Sequence, residues 1–203
     1  MASRNLRIDT GVATLPLPGE PESGDLSLVK AVGAATFVAV VDGLGHGEDA
    51  ASAAHAAVSA LDRYSSRESL PELVKRCHVA LQGMRGVVLG MATLDPGAGT
   101  MTWIGVGNVF GILLRADQAT KPSRVSLVPV AGFIGSEMPH ATSRVVPFAR
   151  GDTLILASDG IKEGFAESLS AANTPQALAD QILARHAKGT DDALVLVARY
   201  AGG

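Results

Sequence analysis

Cysteine occurs once in the chain, at Cys77. One thiol excludes an internal disulfide and a cysteine-rich metal site, and it suits a reducing compartment. Aromatic residues are also scarce, at 4%, so an interior has to be assembled from Val, Leu, Ile and Ala. No Lys/Arg cluster interleaved with aromatics occurs, and 17 basic against 20 acidic residues leave a formal charge of −3. Nucleic acid is therefore not expected as a partner. No apolar run approaches the roughly 18 to 20 residues of a membrane span, and the opening MASRNLRIDTG lacks an apolar signal core. A cytoplasmic protein with no membrane partner is the expectation. What the chain has in quantity is aliphatic: 47% of its 203 residues are hydrophobic and 18% charged. That is enough for one sizeable core, and one domain over residues 1–203 is expected.

Short β-branched apolar runs at 26–32, 36–41, 87–94, 101–106, 109–114, 125–130, 153–157 and 193–200 predict strands. Several are separated by turn signals alone: Gly33-Ala34, Asp95 to Gly99 and Gly107-Asn108. These are too short for crossover helices, so the strands they join must be antiparallel. Three helices are predicted. The first, 48–64, places Ala50, Ala54, Ala57, Val58 and Leu61 on one face. The second, 69–84, opens with a Ser69/Glu72 capping box and Pro71, and the third, 174–187, with Thr174 and Pro175. The Pro- and Gly-rich stretch 16–24 reads as a loop. Helices in blocks between antiparallel hairpins predict an α+β fold, with two antiparallel sheets packed face to face and helices outside.

Acidic residues stand at the ends of four of these strands. Asp25 begins one, Asp42 ends the next, Asp159 ends a third, and Asp191 and Asp192 begin the last. A two-residue turn at Gly33-Ala34 sets Asp25 directly opposite Asp42. Side chains paired in this way lie about 5 Å apart, which is costly for two carboxylates unless a cation is near. If the strands ending at Asp159 and beginning at Asp191 run antiparallel, those carboxylates share one rim. Oxygen donors without Cys or paired His favour Mg²⁺ or Mn²⁺ over zinc. Two such ions sharing a bridging carboxylate can activate a water. Each Asp-Gly taken alone is also an ordinary turn.

The pieces SGD (23–25), VVDGLGHG (40–47), GVGN (105–108), GDTLILASDGIKEG (151–164) and TDDALVLV (190–197) fall in one order along nearly the whole chain. In them the chain resembles the metal-dependent protein phosphatases, the PPM or type 2C serine/threonine family. The resemblance implies a four-layer α/β-β/α sandwich without a flap subdomain, and two Mn²⁺ or Mg²⁺ ions. It makes Asp42 the bridge between them, puts the Gly43 carbonyl on one, and gives Asp159 and Asp191 to the other. Asp25 then acts mainly through metal-bound water. Asp192, where many relatives have Asn, supports the ligands from behind. Eukaryotic relatives commonly carry His directly after the Asp-Gly pair. Here that position is Leu44, and His46, two residues on, is expected to stabilise its loop. The DGxGHG form is that of the bacterial branch that regulates sigma factors, and the compact stressosome feedback type is the nearest likeness.

The activity so implied is removal of phosphate from phosphoserine or phosphothreonine of stressosome or anti-sigma-factor-antagonist proteins. It would proceed by metal-activated water in an open site of a monomer. The alternatives are a catalytically silent module that binds partner proteins, against which the retained ligand positions argue, and a phosphatase of small molecules. GVGNVFG is no dinucleotide loop, because no helix follows it. Arg4 and Arg7 are more simply solvated than bound to phosphate.

Overall fold

Both faces of most strands are covered, and this explains why their apolar runs are nearly continuous rather than alternating. The computed structural model describes residues 7–136, 138–169 and 173–202. In chain order the elements are β1 (Ile8–Leu15), β2 (Asp25–Val32), β3 (Ala35–Gly43), α1 (Glu48–Leu61), α2 (Leu70–Ala80), β4 (Val87–Asp95), β5 (Thr100–Val106), β6 (Phe110–Leu114), β7 (Arg124–Leu127), β8 (Arg144–Pro147), β9 (Thr153–Ala157), α3 (Pro175–His186) and β10 (Ala193–Tyr200). A 3₁₀ turn covers Phe165–Ser168. One sheet has the order β1-β10-β9-β6-β7, the other β2-β3-β4-β5-β8. Every ladder is antiparallel.

Successive residues of one strand serve different layers. On β3, Phe37, Ala39 and Val41 pack beneath α1 and α2, while Val38 and Val40 face the other sheet. On β9 and β10, Leu154, Leu156, Leu194 and Leu196 line the same inter-sheet core, and Ile155, Ala157, Val195 and Val197 pack against α3. The result is the expected α/β-β/α sandwich. Trp103 fills the middle of the inter-sheet core because glycines make room for it. A Cβ at Gly90, Gly105 or Gly111 would lie 2.7, 2.6 or 3.0 Å from its ring. Between β7 and β8 the described residues form only isolated bridges at Val130 and Ile134, so no flap subdomain is present among them. Among the described residues no helix is long and apolar enough to cross a membrane.

The helix starts follow local chemistry. Glu72 accepts from the Ser69 N–H at 2.6 Å, and Thr174 Oγ1 accepts from Ala177 N–H at 3.2 Å, satisfying donors that have no intrahelical partner. α1 ends at Leu61 and α2 at Ala80, short of the predicted 64 and 84. β1 and β8 were not predicted. β1 mixes Asp, Thr and Gly into its run, and Gly11 is needed there because a Cβ would collide with the Gln176 backbone of α3. β8 is a four-residue edge strand with three of its residues exposed.

Candidate metal centre

The β2–β3 hairpin turns at Gly33, whose φ of 63° is costly for other residues, and its register pairs Asp25 with Asp42. Asp25 is 3% exposed, and its Oδ2 has no hydrogen-bond partner among the described residues. Burial pushes its carboxyl up to about 7; the Ser158 side chain opposes this, and Asp192, Asp159 and Asp191 add to it. Asp42 is pushed up to about 9, by burial first and then by Asp25, Asp159, Asp191 and Asp192. The carboxylates of both sheets therefore share one neighbourhood and repel one another there.

The second pair comes from β9 and β10. Their antiparallel register continues past the strand ends, where Ser158 N–H donates to the Leu194 carbonyl at 3.0 Å and Ser158 Oγ accepts from Leu194 N–H at 2.9 Å. Asp159 then lies beside the head of β10. Glycine must follow it, because a Cβ at Gly160 would collide with the Asp192 carbonyl oxygen. Burial raises the Asp159 carboxyl, as does Asp191, while Lys188 and Asn108 act in the opposite direction.

Asp42, Asp159 and Asp191 line one cleft of about 180 Å³, together with Asn108, His46 and Leu44 among others. Asp25 lies behind it, buried. Asp192 does not face the cleft; its oxygens accept from the N–H groups of Leu17 and Gly24, each at 2.8 Å. His46 is held through Nδ1, 2.7 Å from Glu20 Oε1. Arg7 pairs with Asp9, and Arg4 lies outside the described residues. Cys77 is buried, its thiol pushed up to about 12 by that burial, which leaves it inert.

Residue types alone give Asn108, in GVGN, no part in the site. The amide of Asn108 donates to Asp159 Oδ2 at 2.6 Å, fixing one oxygen of that carboxylate. The available signal was the Gly-Asn turn between β5 and β6, which puts a short amide on the same rim.

The residues fit hard divalent cations. Among the described residues no three His, Cys, Asp or Glu side chains are already gathered around one point. Magnesium-like sites, however, are built from few carboxylates plus carbonyls and waters rather than from all-protein cages. The unpartnered Asp25 oxygen, and the burial and neighbouring carboxylates that raise the Asp42 carboxyl, are both answered by positive charge.

The sequence profile of the family "Stage II sporulation protein E (SpoIIE)" matches residues 33–201. A structure from work on the bacterial stressosome, described as a modular system adapted to control secondary messenger signaling, superposes with a TM-score of 0.85. It is 30% identical over 95% of this chain and 100% of that one. RsbX in complex with magnesium gives a TM-score of 0.83 at 21% identity, over 97% of this chain and 99% of that one. The PP2C phosphatase domain of SpoIIE from Bacillus subtilis gives 0.75 at 22% identity, over 99% of this chain and 65% of that one. No curated protein sequence matches the chain significantly. Fold and comparisons define the structural class to which the PP2C phosphatase domain belongs. Within that class, the chain belongs to the stage II sporulation protein E family.

Proposed function

We propose that the chain is a Mn²⁺- or Mg²⁺-dependent phosphatase of phosphoserine or phosphothreonine in a stress-signalling protein, of the stressosome or anti-sigma-factor-antagonist kind. The observation that carries this reading is the meeting at one cleft of Asp42 from one sheet, paired with the buried Asp25, and Asp159 and Asp191 from the other. Asp42 feels the charge of both pairs, which suits it to bridge two ions, with the Gly43 carbonyl beside it on one of them. Asp159 and Asp191 would hold the other ion, and Asp25, set deeper, would order water around them. When bound, the ions would supply a water of lowered pKa and positive charge against the phosphate.

The chain's own side chains account for the rest. No Lys or Arg is among the described residues lining the cleft, so the phosphate charge falls to the cations. Asn108 occupies one oxygen of Asp159 and leaves the other for the cleft. Leu44 has no proton to give a leaving serine oxygen, and an open cleft leaves that proton to solvent. The exposed lip at Gly45, His46 and Asn108 admits a residue presented on a folded partner. Magnesium in the RsbX structure supports the choice of cation, and the stressosome setting of the 30%-identical structure supports the partner class.

The test is hydrolysis by the purified protein with Mn²⁺, Mg²⁺ or EDTA, comparing phosphorylated stressosome-type proteins with free phosphoserine. Cation-dependent turnover with a higher kcat/KM for the phosphoprotein is expected. Equal turnover of both substrates would make it a small-molecule enzyme, and no turnover with any divalent cation would make it a silent binding module.

A further inference from the structure

Asp192 adjoins the metal rim, yet nothing in the proposed reaction uses it. It is 3% exposed, and each of its oxygens is taken by a different backbone donor: Leu17 N–H reaches Oδ1 and Gly24 N–H reaches Oδ2, both at 2.8 Å. Both donors belong to the loop 16–24, which leads into Asp25. The Gly24 carbonyl accepts from Gly43 N–H at 3.0 Å. On the other side, Asp192 N–H donates to Asp191 Oδ1 at 2.9 Å. A continuous run of hydrogen bonds thus joins Asp191, at the head of β10 in one sheet, to Gly43, at the end of β3 in the other.

Each sheet supplies half of the carboxylates, so the spacing between these strand ends decides whether one pair of ions can touch both halves. We infer that Asp192 is a positioning residue that sets this spacing, and that it must be a carboxylate rather than an amide. Asn has the same shape but only one acceptor oxygen. Its NH₂ would face a backbone N–H, donor against donor, where almost no water reaches, and one attachment of the loop would be lost. A buried negative charge close to Asp25 and Asp42 is unfavourable by itself. A requirement for two acceptors accounts for its presence. This inference rests on the two-metal reading above.

The test compares Asp192→Asn with Asp152→Asn. Asp152 is equally buried, at 2% exposed, and accepts from Arg115, Ala116 and Ala149 at the opposite end of β9. Amide hydrogen exchange at Leu17 and Gly24, a calorimetric Mn²⁺ titration, and turnover as a function of Mn²⁺ are measured on each. For Asp192→Asn, exchange at one or both amides accelerates, Mn²⁺ binding weakens about 10- to 100-fold, and turnover recovers as Mn²⁺ is raised. Asp152→Asn loses thermal stability but keeps the wild-type Mn²⁺ affinity. Leu17→Pro, which removes one donor from an exposed loop, weakens Mn²⁺ binding in the same direction and serves if Asp192→Asn does not fold.

Wild-type Mn²⁺ affinity in Asp192→Asn, or in Leu17→Pro if that variant alone folds, overturns the inference and leaves the proposed function standing. Equal weakening in Asp152→Asn does so too, since general loosening would then explain both variants. A wild-type protein that binds no Mn²⁺ overturns both readings together.

Discussion

On the proposed reading Asp42 concentrates the chemistry of this protein, because it is the carboxylate on which burial and the charge of four neighbours act together. Without cations, Asp25 and Asp42 hold their protons up to about 7 and about 9, against an ordinary 3.8. The folded state thus binds more protons than the unfolded chain across that interval. Stability is therefore fully present below about pH 4 and falls as pH rises through the folded values. Thermal unfolding of EDTA-treated protein between pH 5 and 9 should show a Tm that decreases with pH beyond the trend of Asp42→Asn, and added Mn²⁺ should restore it most at high pH. Asp42→Asn should lower phosphatase activity at least about 100-fold, since on the proposed reading it removes the bridge between two ions, while the metal-free variant is as stable as wild type or more so. A variant that is inactive because it is unfolded would contradict this account of Asp42.

Turns and strand ends decide which residues meet. The Asp25–Asp42 pairing was legible because a two-residue turn fixes hairpin register, and the register of β2 and β3 is the one that Gly33-Ala34 implies. The shared rim of Asp159 and Asp191 was legible for a similar reason, since antiparallel neighbours place one strand's end beside the other's start. The bond from Asn108 to Asp159 was not legible. It joins loops 51 residues apart, and no periodicity or turn rule specifies how two loops face each other. The attachment of Asp192 to Leu17 and Gly24 depends on where two backbone N–H groups point, which residue types do not encode. β1 escaped notice because Gly11 answers to the approach of α3 rather than to strand propensity. The same close-approach logic yields a test at the turn after β9. Gly160→Ala would press a methyl group onto the Asp192 carbonyl, so it should cost about 1–3 kcal/mol in denaturant unfolding and weaken Mn²⁺ binding. Wild-type stability in Gly160→Ala would show that the turn yields without disturbing the rim.

The sandwich explains why the site needs both sheets. Its inter-sheet core, centred on Trp103 and the leucines of β9 and β10, holds two antiparallel sheets face to face. Each sheet ends in a carboxylate pair at the same edge. Among the described residues neither pair has a cationic side chain in the cleft to neutralise it, so on the proposed reading the cations would belong to the architecture as much as to the reaction. Membership of the stage II sporulation protein E family and the TM-score of 0.83 to RsbX agree with that two-sheet fold. The claim is tested most directly by diffraction from crystals of this protein soaked in Mn²⁺, recorded for anomalous scattering from manganese. Two anomalous peaks flanking Asp42 are predicted, one also touching the Gly43 carbonyl and the other Asp159 and Asp191. A map without manganese at Asp42, or with a single ion that leaves Asp159 and Asp191 unligated, would contradict it.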